Sequence, residues 1–404
     1  MKILLAHNNY TVSGGAEVFY HEVARILRAN GHEVALFSAA EDGLSDPGTE
    51  GFPKVADYRG GGLLARVASL PSIIYNRAAK AAMARRIAEF RPDIIHAFAI
   101  YVKLTPSILE AAREAGVPVA LSCNDYKHIC PNYKLFHHGR ICEECKGGRF
   151  RNALKNRCSH GSFAWSGASM IEAYAHEAMD IWRRNVSVFL FASRFMARKT
   201  EEFWGEGRVR IDFLRNPFDA AKYILPPQKG DYLFYFGRLI DEKGVDVLLD
   251  AAALVPDIPV VIVGDGPDRD KLAARAEGLP NVRMVGPAWG DDLNHWLSGA
   301  RAVVVPSLWH ENFPYVILQA FAAAKPVIGS DRGGIPELVT AGNHGRIYPA
   351  NDVAALASAM GDIWSLSDKG IAEMGQEAQD YVRTEFTDAA IYRELERIYS
   401  DLLA

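Results

Sequence analysis

The stretch Ala302-Val303-Val304-Val305-Pro306-Ser307, continued by His310-Glu311-Asn312-Phe313-Pro314-Tyr315-Val316-Ile317-Leu318-Gln319-Ala320, decides the fold. Four apolar residues, Ala302 to Val305, predict a strand. A polar turn carrying Glu311 follows, and a helix is expected from Pro314 to Ala324. Glu311 therefore stands where the carboxyl end of a strand meets the amino end of a helix. In open α/β sheets ligands bind at that point, because backbone N–H groups and the helix dipole face the crevice. Farther on come a second short strand, Pro326 to Gly329, and a glycine turn, Gly333-Gly334-Ile335-Pro336-Glu337.

Working outward, apolar runs alternate with helical patterns along most of the chain. Strands are expected at Lys2 to Ala6, Glu33 to Ser38, Asp93 to Phe98, Pro118 to Cys123 and Val186 to Ala192. Between them the helical spacing marks Ala16 to Ala29, Asn76 to Glu89 and Pro106 to Ala115. After Asn216-Pro217-Phe218 a second set begins, with strands at Tyr232 to Phe236, Val260 to Val263 and Val282 to Val285 before the two already named. Its helices lie near Val245 to Leu254, Asp268 to Glu277 and Leu293 to Ser298. A chain of 404 residues exceeds what one core usually serves. Two doubly wound α/β domains are expected.

With 49% hydrophobic and 23% charged residues, the composition is that of an ordinary globular protein. The opening apolar run is too short for a signal peptide, and no run approaches a membrane span of roughly 18 residues. A cytoplasmic location is expected. Charge is divided unevenly: up to Asn216 there are 29 Lys and Arg against 22 Asp and Glu, and beyond it 16 against 27. The basic first half is expected to meet something anionic. No acid occurs from Arg59 to Arg86, where Arg59, Arg66, Arg77, Lys80, Arg85 and Arg86 interleave with apolar residues. Two readings fit: a helix on an anionic membrane surface, or a solvated amphipathic helix. No motif supports a nucleic-acid partner.

All five cysteines lie between positions 123 and 158. Cys130, Cys142, Cys145 and Cys158 share a glycine-containing stretch. Their pattern suits a closed structural zinc site, with a reducible disulfide or buried thiols as alternatives. The sequence Val263-Gly264-Asp265-Gly266-Pro267 lacks the third glycine of a dinucleotide fingerprint, because position 269 is Arg.

Taken together, Gly14-Gly15-Ala16-Glu17 at a strand-to-helix turn, His96 at a strand end, Gly237-Arg238, Lys243-Gly244, Gly264, Glu311 and Gly333-Gly334 resemble, in order, the retaining glycosyltransferases of family 4. The resemblance implies a GT-B fold, two Rossmann-like domains facing across a cleft. It divides the chain into residues 1–215, with a Cys-rich insertion near 123–160, then 216–385, and a helix over 386–404 crossing back to the first domain. Such Cys-rich insertions occur in a subset of bacterial family 4 enzymes, and the surface-polysaccharide type is the expected grouping. The family motif is Glu, seven residues, Glu; here it is Glu311 and Gln319. Glu311 would hold sugar hydroxyls, and Gln319 would hold the ribose without a charge-assisted bond. Pro314 replaces a residue with a free N–H.

By the same resemblance, His96 would position the donor sugar, while Gly14, Gly15, Gly264, Gly286, Asn312, Phe313 and Tyr315 would line the donor site. Breaking a sugar–diphosphate bond builds charge on the leaving group, so Arg238 and Lys243 are expected to face the diphosphate. The implied reaction is transfer of a hexose-type sugar, without a catalytic metal, from a nucleoside diphosphate to a glycan or polyprenyl-linked acceptor. The rivals are a GT-B nucleotide-sugar epimerase and a non-catalytic nucleotide-sugar-binding partner of an assembly complex.

Overall fold

The computed structural model describes all residues except 13, 45, 47, 56–70, 227 and 341–343. The chain divides into two compact units. One comprises Met1–Leu135, Glu143–Pro217 and Ile391–Ala404, and the other Phe136–Cys142 and Phe218–Ala390.

In the first unit the strands are β1 (Lys2–Ala6), β2 (Glu33–Phe37), β3 (Ile94–Phe98) and β4 (Val119–Cys123). A two-residue hairpin, β5 (Phe136–His137) and β6 (Arg140–Ile141), is assigned to the other unit, and β7 (Val188–Phe191) and β8 (Ile211–Phe213) complete the first sheet. The sheet order is β2-β1-β3-β4-β7-β8, every pair parallel. Parallel strands covered on both faces need unbroken apolar runs, and Val188–Phe191 and Ile94–Phe98 are buried at every position. The carboxy-terminal helix Asp388–Leu403 puts Ile391, Leu395, Ile398 and Tyr399 into the core formed by Ile3, Leu5, Phe98 and Val188.

The second unit repeats the plan with β9 (Tyr232–Phe236), β10 (Val260–Val263), β11 (Val282–Gly286), β12 (Ala300–Val305), β13 (Val327–Ser330) and β14 (Gly345–Tyr348). Their order is β11-β10-β9-β12-β13-β14, again all parallel. Strand order reverses between β9 and β12, so their carboxyl ends diverge around a crevice. Backbones crowd there: a Cβ on Gly244, in the segment after β9, would lie 2.1 Å from the carbonyl oxygen of Pro306, which follows β12. The edge strands β8 and β14 and the hairpin were not expected from sequence. The helix expected from Pro314 runs Tyr315–Ala322, with Pro314 capping it in an extended conformation.

Candidate active site at the strand ends of the second unit

Two side chains meet at the reversal point. Lys243 closes a single 3-10 turn, Asp241–Lys243, just past β9, and Glu311 lies six residues beyond β12. The Lys243 ammonium Nζ is 2.6 Å from Glu311 Oε1, and Ser307 Oγ donates to the same oxygen at 2.7 Å. Glu311 is buried, whereas Lys243 keeps part of its surface. Burial alone would raise the Glu311 carboxyl. The Lys243 charge and hydrogen bond, joined by Ser307, overcome that and hold it below the ordinary carboxylate range. Lys243 also sits 5.5 Å from the centre of the Trp309 ring.

The backbone holds this arrangement in place. The Gly334 N–H donates to the Glu311 carbonyl at 2.8 Å, and Ser330 Oγ donates to the Ser307 carbonyl at 2.7 Å. Gly333 has φ 62°, and a Cβ there would fall 2.0 Å from the Glu311 carbonyl oxygen. Only glycine tolerates both conditions. The Gly333-Gly334 turn is thus the clamp on the Glu311 loop, and any side chain at Gly333 would push Glu311 away from Lys243.

Arg238 is exposed, and the Tyr235 hydroxyl donates to its carbonyl at 2.8 Å. Gly237 donates its N–H to the Val263 carbonyl at 3.1 Å and Gly264 to the Gly286 carbonyl at 2.9 Å, so the ends of β9, β10 and β11 are tied together. Asn312 and Phe313 are buried, and the Phe313 ring packs on Phe386 at 5.7 Å. What Phe313 can offer a ligand is therefore its backbone. Tyr315, half-buried, opens the helix, with its ring 6.3 Å from that of Phe218. Gln319 donates from Nε2 to the Tyr223 hydroxyl at 2.8 Å. The amide that replaces the family's second acid is thus fixed to the segment that follows Phe218.

Three expectations are corrected or narrowed. His96 does not stand at an open strand end. It is the third of five residues in β3, fully buried, with Nδ1 2.7 Å from the Tyr399 hydroxyl and Nε2 2.8 Å from Ser122 Oγ. Burial pushes its pKa down to about 3. Both ring nitrogens are occupied by protein, so it cannot also position a sugar. The four-cysteine zinc site is not assembled either. Among the described residues no three His, Cys, Asp or Glu side chains are grouped to hold a metal, and no disulfide joins any cysteine. The Cys130 thiol instead points to Asn132 Oδ1 at 3.0 Å. Arg59 and Arg66 of the basic segment lie outside the described residues. Its later part is the helix Arg77–Phe90, whose Ala79, Ala82, Met83 and Ile87 are buried in the core and whose Lys80 pairs with Glu110 and Glu114. The apolar face of that stretch is thus turned into its own domain.

Gly14 caps and Gly15 begins the helix Gly15–Ala29, both exposed, so its first N–H groups remain accessible. Sequence reasoning missed a polar group past β3 and β4. The Tyr101 hydroxyl donates to Asp125 Oδ1 at 2.7 Å, the Lys127 N–H donates to the same oxygen at 2.9 Å, and Lys127 Nζ pairs with Glu172 at 2.7 Å. Burial pushes the Asp125 carboxyl up to about 6. Its place, two residues past a strand end, was the available signal.

Two all-parallel Rossmann-like sheets give the chain an α/β architecture of the GT-B type. Residues 14–217 match the glycosyl transferase 4-like domain and residues 230–365 match glycosyl transferases group 1. The chain belongs to the glycosyl transferase 4-like family. Glycogen synthase of Mycobacterium tuberculosis is 27% identical over 390 residues, covering 89% of this chain and 85% of that protein. The GDP-mannose-dependent alpha-mannosyltransferase of Corynebacterium glutamicum is 28% identical over 319 residues, covering 78% and 69%. In structure, Anabaena HepE in complex with UDP and glucose superposes with TM-score 0.68 at 18% identity, covering 99% of this chain and 100% of that one.

Proposed function

We propose that the protein transfers a hexose-type sugar, with retention of anomeric configuration, from a nucleoside diphosphate to a lipid-linked or other glycan acceptor in surface-polysaccharide assembly. The observation that carries this reading is the 2.6 Å pair of Lys243 and buried Glu311 at the reversal point of the second sheet, beside exposed Arg238. An ion pair without a ligand holds its cation in readiness. When a diphosphate arrives, Lys243 and Arg238 neutralise the charge that grows on it as the sugar–oxygen bond breaks. Glu311, kept ionised, is left to accept hydrogen bonds from sugar hydroxyls. The leaving phosphate oxygen takes the acceptor's proton, so no side chain has to act as base and no metal is needed. Two relatives agree in kind: one is a GDP-mannose-dependent mannosyltransferase, and a structural neighbour is in complex with UDP and glucose.

The test is turnover of a panel of nucleotide sugars with and without lipid-linked acceptors, the product's anomeric configuration being read by NMR. Retained configuration in an acceptor-dependent product is expected. An inverted product overturns the mechanism. Conversion of the donor without acceptor would make the protein an epimerase, and donor binding with no transfer to any acceptor would make it a binding partner.

A further inference from the structure

The helix Phe163–Ala178 is built inside out. Its buried positions are Ser166, Glu172 and His176, all polar. Each is engaged inward: Ser166 Oγ accepts from the Ser159 N–H at 3.0 Å, Glu172 pairs with Lys127, and His176 Nε2 lies 2.8 Å from the Ile74 carbonyl. The exposed positions are Phe163, Ala164, Ile171, Tyr174, Glu177 and Ala178; all but Glu177, which lies at the edge, share an arc of about 100° at 3.6 residues per turn. Phe163 is 56%, Ile171 51% and Tyr174 41% exposed. A surface helix of a globular domain normally shows the opposite pattern. An apolar face turned outward marks a surface meant to be covered.

The neighbouring chain indicates by what. From Lys146 to Ile171 there is no acidic residue, and Arg149, Arg151, Lys155 and Arg157 are all exposed. They belong to the short helix Arg151–Lys155 and its flanks, which dock on the apolar helix. The Arg157 guanidinium lies 4.1 Å from the centre of the Phe163 ring, the Arg151 N–H donates to the Tyr174 hydroxyl at 3.2 Å, and the Phe150 ring meets that of Tyr174 at 5.2 Å. The nearby acids are engaged: Glu144 accepts from Asn156, Glu143 pairs with Lys199, and Glu177 pairs with Arg183. Aromatic and aliphatic groups on one helix face, bordered by exposed cations, match the chemistry of an interface between acyl chains and anionic headgroups.

We propose that the Phe163–Ala178 helix face, with Arg149, Arg151, Lys155 and Arg157 beside it, seats the protein on an anionic lipid bilayer. This deepens the membrane-borne acceptor of the reading above, and its test measures binding without transfer, so the two fail separately. The full chain is floated with vesicles of phosphatidylglycerol and phosphatidylcholine, and with phosphatidylcholine alone. Flotation is expected with the anionic vesicles only and is lost as salt rises, since exposed charges are screened over about 8 Å at physiological ionic strength. The double substitution Phe163→Ser with Ile171→Ser should weaken partitioning at least ~10-fold with an unchanged melting temperature, because solvent-exposed apolar groups contribute to insertion and not to the fold. Arg149→Gln with Lys155→Gln should weaken it and flatten the salt dependence. The proposal is overturned if the natural chain does not float, if the variants float as well as it does, or if the serine variant instead abolishes a dimer seen in sedimentation velocity.

Discussion

Glu311 and His96 were both placed by sequence at strand ends, one in each unit, and the structure treats them oppositely. Glu311 lies beyond the last residue of β12, on a loop clamped by Gly333-Gly334, with its carboxylate held by Lys243 and Ser307. His96 lies inside β3, two residues short of its end, stacked 4.2 Å from Phe98 and bonded to Tyr399 and Ser122. A difference of a few positions along a strand decides whether a polar side chain stands at the crevice or within the packing of sheet and helix. Past the strand end the backbone turns and side chains converge; within it, each side chain belongs to the packing between sheet and helix.

The sharpest way to break this contrast is to remove the charges of the second unit. Glu311→Ala should abolish measurable transfer, and Arg238→Ala and Lys243→Ala should each lower kcat by roughly 100-fold or more, the size expected for a major electrostatic stabiliser. Near-normal steady-state rates in the two cation variants would remove the diphosphate assignment. His96→Phe, by contrast, should cost about 1–3 kcal/mol of stability in chemical denaturation, because Tyr399 and Ser122 lose a buried partner. The rate per folded molecule should stay within about threefold, since no transition-state contact is lost. A collapse of kcat at full folding would return His96 to the site.

The titration of His96 gives a finer measure. Its folded pKa, near 3, lies below its unfolded value, so the unfolded chain binds the extra proton first. The stability that neutral His96 supports is present above about pH 6.5 and is lost as pH falls from there towards 3, by up to about 1.4 kcal/mol per pH unit. His128, lowered to about 3 by burial, acts in the same direction. Urea midpoints measured across that window should slope less for His96→Phe than for the natural chain, and identical slopes would contradict the buried pair. The smallest effect is expected at Gln319. A glutamate there cannot donate as Gln319 does but can accept from the Tyr223 hydroxyl instead, so Gln319→Glu should leave donor affinity unchanged or tighten it by less than about tenfold in isothermal titration. Weakened binding would mean the pocket has been built around the amide.

Much of the fold was readable because parallel strands buried on both faces must be apolar throughout, as in Tyr232–Phe236 and Val260–Val263. The edges were not. Ile211–Phe213 is only three residues long and half-buried, and β14 opens with Gly345, where a Cβ would meet the Val327 carbonyl oxygen at 1.8 Å. A glycine demanded by close strand approach reads, in a single sequence, as a loop. Lys243 and Glu311 were each legible as site residues, but their pairing was not. They are 68 residues apart, and only the adjacency of β9 and β12 joins them. The cysteines show the converse. A Cys-x-x-Cys with two outlying cysteines suggested one ligand set, yet spacing along an irregular insertion does not fix where thiols point.

The origin of the last helix has a consequence for the order of events during synthesis. Ile391–Ala404 belongs to the first unit although the ribosome makes it after the second. Until it emerges, the hydrophobic surface that receives Ile391, Leu395, Ile398 and Tyr399 stands uncovered, and His96 lacks the hydroxyl that closes its hydrogen bonds. The first unit, begun earliest, cannot be completed until the whole of the second has been made.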